Sequence, residues 1–296
     1  MNFRELQSAN RRKTFGLLLA MGILMWVVVY SALTYFGGAT AGIVPIAVGI
    51  SLISVWGAYY GSDKLVLTMT GAKELQESDN PKLFGLVQEV CLASGLPMPK
   101  VAIVYDDAPN AFATGRNPEH ALIAFTTGIL DVMDRDELQG VIAHEMSHVG
   151  NRDTLVSAVA ATTAGAIAIV SDMLARMMFF GGGRNRENGN NPLALLFSLL
   201  VLILAPFAAL LLKSAISRKR EALADATAVS FTRNPAGLRK ALEILARDST
   251  VVQQRSNAVA HIWIESPLDA KSVSKLFATH PPIEERIEIL RSMESL

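Results

Sequence analysis

The chain has 296 residues and a formal net charge of zero, which excludes a basic nucleic-acid-binding face and a solvating acidic tail. Only 18% of residues are charged while 51% are hydrophobic, below the roughly 25% charge of a water-soluble domain, so part of the chain must avoid water. One cysteine, Cys91, excludes an internal disulfide and any Cys-x-x-Cys site; a metal here has to be held by histidine and carboxylate, and a lone thiol suits a reducing compartment.

No charged residue occurs from Thr14 to Ser62. Gly37-Gly38 divides that stretch into Phe15–Phe36 and Ala41–Tyr60, each of the about 20 residues that cross a bilayer as a helix. A cleaved signal peptide would be followed by polar sequence, whereas a second apolar segment follows here. Residues 1–62 are therefore predicted to be a transmembrane hairpin, with Trp26, Tyr30, Tyr35, Trp56, Tyr59 and Tyr60 as interface aromatics. Arg4, Arg11, Arg12 and Lys13 precede it and the Gly37–Thr40 turn is uncharged, which places the N-terminus in the cytoplasm and returns the chain there at Asp63-Lys64.

Residues 63–153 read as the first part of a water-exposed α+β domain. Leu83, Leu86, Val87, Val90 and Leu92 have helical spacing over Pro81–Ser94, which Gly95-Leu-Pro-Met-Pro ends. Lys100–Tyr105 and His120–Phe125 are predicted strands, and Asn110–Thr114 between them an edge strand. A helix is predicted from Asp134, its N-cap, with Asp136 and Glu137 in the first turn. Residues 154–212 form a second apolar hairpin. Its arms are Thr154–Ser171, short and Ala/Thr-rich, and the charge-free Leu193–Leu212, separated by the polar loop 181–191. Residues 213–296, polar and mostly helical, complete the domain. The expectation is a mainly α membrane protein with about four transmembrane helices carrying an α+β domain: a small sheet with an edge strand, a motif helix and a second ligand helix.

Val141-Ile-Ala-His144-Glu145-Met-Ser-His148 lies within the helix from Asp134. Residues i and i+4 stand about 40° apart and one turn along a helix, so both imidazoles reach one cation. Glu145 projects to the side, where it can contact a water on the metal without replacing a ligand. This is the HExxH arrangement of zinc metalloproteases. A catalytic zinc needs three protein ligands and an open position. Arg218-Lys-Arg-Glu221-Ala-Leu-Ala-Asp225 offers two carboxylates on one helix face, one to ligate and one to accept a ring N–H of a ligand histidine. His144 and Glu221 must face one compartment, so if Leu193–Leu212 crosses the membrane Thr154–Ser171 crosses too. Lys213, Arg218, Lys219 and Arg220 favour a cytoplasmic end, while Arg176, Arg184 and Arg186 in the intervening loop run against it.

Four motifs in this order, Asn110-Ala-Phe-Ala-Thr-Gly115, His144-Glu145-Met-Ser-His148, Arg220-Glu221-Ala-Leu-Ala-Asp225-Ala and Thr279-His280-Pro-Pro282 with Arg286-Ile287, resemble the HtpX family of bacterial membrane metalloproteases, related to the CAAX prenyl-protein endoprotease. The resemblance covers nearly the whole chain. It implies a gluzincin-type catalytic domain facing the cytoplasm of the bacterial inner membrane, one zinc per chain, and degradation of misfolded membrane proteins under stress. It implies Glu221 as third ligand, Asp225 as the carboxylate behind a ligand histidine, and Glu145 as the base. On this reading Asn110, Ala111, Phe112 and Ala113 bind polypeptide substrate by strand addition, which gives affinity with little demand on sequence. The same strand could equally be a plain sheet edge. His280 matches the family's late histidine, beside the oxyanion or the substrate backbone; alone before Pro-Pro it could equally cap a turn. Expected partners are thus polypeptides and the lipid bilayer, and no nucleic acid.

Two other classes of protein fit the sequence less well. In a protease that cuts within the bilayer the HExxH helix spans it, but Asp134, Arg135, Asp136, Glu137 and Arg152-Asp153 flank this one. A scaffold with structural zinc would close the site with four protein ligands, and the pattern supplies three.

Overall fold

The computed structural model describes residues 42–158, 220–248 and 282–294, parts of 12–34, and residues 250, 252, 263 and 264, the side chains of residues 58, 59, 62, 63 and 65 excepted. The loop 181–191, the segment Leu193–Leu212, Thr154–Ser171 beyond residue 158, and His280 lie outside the described residues. Residues up to Tyr60 fall in one compact unit; 61–158 and the described residues from 220 onward fall in another.

In the first unit, Met25, Val28 and Val29 of the helical residues 22–31 pack with Ala47 of helix α1 (Ile43–Thr70). The 28 residues of α1 carry an almost uniformly apolar circumference through their first four turns, with Val44, Ile46, Val48, Ile50, Leu52, Ile53 and Trp56 exposed. Ser51 and Ser54 return their hydroxyls to the carbonyls of Ala47 (2.7 Å) and Ile50 (2.8 Å), which satisfies them without water. Among the described residues no helix is long and apolar enough to cross a membrane.

The second unit is mostly helical with a small mixed sheet. Strands β1 (Lys73–Glu74), β2 (Lys100–Val104), β3 (Ala111–Gly115) and β4 (Ala121–Thr126) stand in the order β1-β2-β4-β3. β2 runs parallel to β4, with Lys100 opposite Leu122, and β3 antiparallel to it, with Ala111 opposite Phe125. Strands β2, β3 and β4 each lie within a residue of their predicted bounds: Tyr105 is exposed beyond β2, Thr126 extends β4, and Asn110 precedes β3. The two-residue β1 has too little sequence to be predicted.

Helix α2 (Pro81–Ser94) has Asn80 as N-cap and Gly95 in the left-handed conformation at its end. The short helix α3 (Thr127–Val132) follows β4, and α4 (Arg135–Gly150) begins with a capping box in which Asp134 accepts from Asp136 N and Glu137 N and Glu137 accepts from Asp134 N. Helical residues 220–232, α5 (Pro235–Arg247) and α6 (Ile283–Met293) complete the unit. Its core joins Ile123 and Phe125 of β4, Leu83 and Val87 of α2, Val141, Ile142 and Met146 of α4, Leu238 and Leu242 of α5, and Leu290 of α6. Each such side chain contributes about 1.5–3 kcal/mol on burial. α4 and α5 approach so closely that a Cβ on Gly140 would stand 2.6 Å from Leu238 N, and one on Gly237 2.5 Å from Asp136 O. This contact fixes the depth at which α4 sits, and α4 carries the site.

Candidate metal centre

Leu138, Val141, Ile142 and Met146 point α4 into the core, and the helix is buried around most of its circumference from Gly140 to Ser147. His144 and Glu145 are therefore sealed from bulk water at 1% and 2% exposure, and His148 lies partly open. The two Nε2 atoms are 3.2 Å apart. Glu221 comes from the helical residues 220–232, with Oε2 3.5 Å from His144 Nε2 and Oε1 3.4 Å from His148 Nε2. One donor atom of each of His144, His148 and Glu221 lies within 4.8 Å of the others.

The opposite ring nitrogens are also engaged. His144 Nδ1 is 2.9 Å from Asp225 Oδ1, and His148 Nδ1 is 3.2 Å from Asp153 Oδ2. Each carboxylate meets a buried guanidinium: Arg286 donates from Nε and Nη2 to both oxygens of Asp225 (2.9 and 2.7 Å), and Arg220 Nη1 stands 3.4 Å from Asp153 Oδ1. Arg286 Nη1 is also 3.4 Å from Glu221 Oε2.

Burial alone would lower the pKa of both histidines. For His148 the charge of Glu221 and hydrogen bonds to Asp153 and Glu221 outweigh it, and the value lies well above the ordinary one. For His144 burial and Arg286 both act downward, yet the bonds to Asp225 and Glu221 still leave it raised. Asp225 is pushed up by burial but held at about 2 by Arg286 and by its bond to His144. The site thus calls for positive charge between the imidazoles. With each Nδ1–H directed at a carboxylate, a neutral imidazole turns its Nε2 lone pair towards the other Nε2 and the Glu221 carboxylate, an arrangement that repels itself unless positive charge, a proton or a metal ion, stands among them. Two imidazoles and one carboxylate form the ligand set of a catalytic zinc with an open position, so the residues fit a metal.

Comparison with known proteins agrees with this chemistry. The model of peptidase family M48 matches residues 77–294, which contain every residue of the cluster. The chain belongs to peptidase family M48. This M48 peptidase is 45% identical over 293 residues to a "Protease HtpX homolog" of Caldanaerobacter subterraneus subsp. tengcongensis, covering 98% of this chain and 97% of that one. It is 44% identical over 291 residues to a protein of the same description from Streptococcus gordonii, covering 97% and 98%. The crystal structure of S. mikatae Ste24p shares the fold at a TM-score of 0.50 and 15% identity, over 97% of this chain and 65% of that one. The M48 peptidase is a metalloprotease, a hydrolase.

Of the residues singled out in the sequence, the structure brings together His144, His148, Glu221 and Asp225, with Glu145 on the same buried helix. Asn110, Ala111, Phe112 and Ala113 lie at the outer strand of the sheet with buried side chains. Asn110 Oδ1 accepts from Ala111 N (3.0 Å), Ala111 O accepts from Ile264 N (2.9 Å), and Phe112 packs edge-on against Trp263 at 4.8 Å. The strand edge at Ala111 is thus bonded to the chain itself. Sequence reasoning missed three residues of the M48 peptidase's cluster. Arg286 stands inside a motif with no role of its own, Arg220 reads only as one of the cytoplasmic-side charges, and Asp153 only as a charge flanking the motif helix.

Proposed function

We propose that this metalloprotease is a zinc-dependent endopeptidase of the bacterial inner membrane that cleaves misfolded membrane proteins on the cytoplasmic side. The observation that carries the reading is the convergence of His144, His148 and Glu221 with both distal ring nitrogens held by carboxylates. In this proposal those three residues hold one zinc ion per chain. Bound there, zinc supplies Lewis acidity, which brings a water's pKa towards neutrality and polarises a carbonyl.

Glu145 follows His144 on the buried α4, about 100° around the helix, at the flank of the two imidazoles. Its carboxylate takes the proton from the attacking water as the C–O bond forms, then delivers it to the amide nitrogen as the C–N bond breaks. Asp225 and Arg286 hold the His144 ring in one tautomer, with the lone pair of Nε2 towards the site. Burial of α4 excludes water from competing for these hydrogen bonds. Strand β3 receives the substrate backbone by strand addition along the part of its edge not bonded to Ile264. His280 supports the oxyanion or the substrate backbone.

Membrane embedding is supported by the exposed apolar side chains of α1, by hydroxyls satisfied within the helix, and by the two HtpX-homologue relatives. Four crossings, with residues 154–212 as the second hairpin, keep His144 and Glu221 in one compartment. The test is metal content and casein cleavage of detergent-purified protein. Wild type is expected to carry one zinc and to lose activity to a chelator, while His144→Ala, His148→Ala and Glu221→Ala each lose the metal. Full zinc occupancy in Glu221→Ala would remove it from the ligand set.

A further inference from the structure

We propose that Asp153, held by Arg220, is a positioning residue of the metal centre that does for His148 what Asp225, held by Arg286, does for His144. The inference rests on the reading of His148 as a metal ligand. Four observations lead to it. Asp153 is 4% exposed, and its Oδ2 lies 3.2 Å from His148 Nδ1, on the side of the ring away from the other metal-binding residues. Its Oδ1 faces Arg220 Nη1 at 3.4 Å, and Arg220 is itself 8% exposed. The backbone is bent to bring Asp153 there. α4 ends at Gly150, Asn151 caps it, and Arg152 takes φ +60°, a left-handed conformation uncommon for a residue with a Cβ. The next residue, Asp153, starts helical residues 153–158, and Thr154 fixes that start by donating to Gly115 O at 2.9 Å.

The arrangement has a physical purpose. An imidazole bound through Nε2 alone can swing about its χ angles, and before binding it can carry its proton on Nε2 instead of Nδ1; a carboxylate accepting from Nδ1–H restricts both and raises the basicity of Nε2. His148 needs this more than His144 because its side chain is 16% exposed, so water would otherwise compete for Nδ1. Arg220 precedes the ligand Glu221, and adjacent helical residues diverge by about 100°. One turn of helix therefore sends a carboxylate to the metal and a guanidinium to the carboxylate behind the other ligand. The ion pair joins positions 67 residues apart, on either side of residues 159–219. It ties the helix that supplies the third ligand to the end of the helix that supplies the first two.

The test is zinc affinity of the full-length protein by competition with a chromophoric chelator, together with the visible spectrum of the cobalt-substituted form. Measurements are made well below each variant's Tm. Asp153→Asn is expected to weaken zinc about 10- to 100-fold and to shift the cobalt d–d bands, since the field of His148 changes. Arg220→Ala is expected to weaken zinc in the wild-type background and to add little in the Asp153→Asn background. Arg220→Lys, which keeps the charge, gives a smaller loss and serves if Asp153→Asn does not fold. A merely structural Asp153 would lower the Tm of the metal-free protein and leave affinity and spectrum at wild-type values, and that result overturns the proposal. Additive losses for Asp153→Asn and Arg220→Ala overturn the role of Arg220. His148→Ala separates the two readings: retained zinc there contradicts the ligand set itself, whereas lost zinc there with wild-type affinity in Asp153→Asn contradicts this proposal alone.

Discussion

Replacing Asp225 by alanine removes the partner of a buried arginine as well as the hydrogen bond that orients His144. Asp225 is 2% exposed and Arg286 3%, and the guanidinium meets both carboxylate oxygens, at 2.9 and 2.7 Å. The carboxyl falls from its ordinary 3.8 to about 2, even though burial pushes the other way, which corresponds to about 2–3 kcal/mol of net interaction at neutral pH. Alanine forfeits that and also leaves Arg286 charged in the interior, a loss that runs to about 3–5 kcal/mol when one member of a buried pair is removed. Glu221 Oε2, 3.4 Å from Arg286 Nη1, takes up part of the orphaned charge, so the lower end applies. At about 2–4 °C per kcal/mol, a loss of about 3 kcal/mol lowers the Tm of the metal-free protein by roughly 6–12 °C. Because the folded-state pKa is depressed, this stability is present above pH 3.8 and is lost as pH falls towards 2. The gap between wild type and variant should accordingly close over that window. Thermal unfolding of metal-free Asp225→Ala, Arg286→Ala and the double variant checks this, with the double variant losing less than the sum. A fall of less than about 1 kcal/mol in Asp225→Ala, or additivity in the double variant, would refute the reasoning.

Gly140→Ala puts a methyl 2.6 Å from Leu238 N, where the obstruction is backbone and cannot rotate away. Overpacking costs about 1–3 kcal/mol and the better helix propensity of alanine returns about 1, so thermal unfolding should show a net loss of up to about 2 kcal/mol. A Tm at or above wild type would mean that the helices do not approach so closely. In the metal-free site the pKa values of His144 and His148 are raised, so their stabilising protons are fully present below the ordinary 6.5 and lost as pH rises through the folded values. The Tm increase on adding zinc should therefore be larger at about pH 8.5 than at about pH 6, and an increase that does not vary with pH would contradict it. For topology, Gly183→Cys should react with a membrane-impermeant maleimide in intact spheroplasts while Ser230→Cys should not. Labelling of Gly183→Cys only after permeabilisation would contradict the four-crossing arrangement. Cys91 can stay in that experiment, because it is 7% exposed and burial pushes its thiol up to about 11, leaving little thiolate.

The parts of the site legible in the sequence are those set by helical spacing. His144 and His148 share a face because they are four residues apart, and Glu221 and Asp225 share one for the same reason, so both pairs reach the cluster as expected. The Asp134 cap was legible too, because an N-cap is a local device written within four residues. Asp153 was not, since its position depends on the left-handed turn at Arg152, a conformation that arginine does not announce. Arg220 and Arg286 were hidden for another reason. A cationic side chain in a polar helix reads as a solvated face, and only the tertiary pairing that buries it, 67 residues from Asp153 or 61 from Asp225, shows that it belongs inside. Strand β3 was visible as an edge from its alternation, whereas its bond to Ile264 joins residues distant in sequence and has no local signature. The fold followed the same division: β2, β3 and β4 lay within a residue of their expected bounds, whereas the two-residue β1 and the close crossing of α4 and α5 at Gly140 had no pattern to reveal them.

The most direct measurement is casein cleavage by zinc-loaded Glu145→Gln beside wild type, with metal content determined on the same samples. Glutamine preserves the shape of the buried side chain on α4 but cannot take a proton from water, so the variant should hold one zinc like wild type and cleave nothing above background. Appreciable cleavage by the zinc-loaded variant would contradict the assignment of Glu145 as the base, and with it the mechanism proposed for this site.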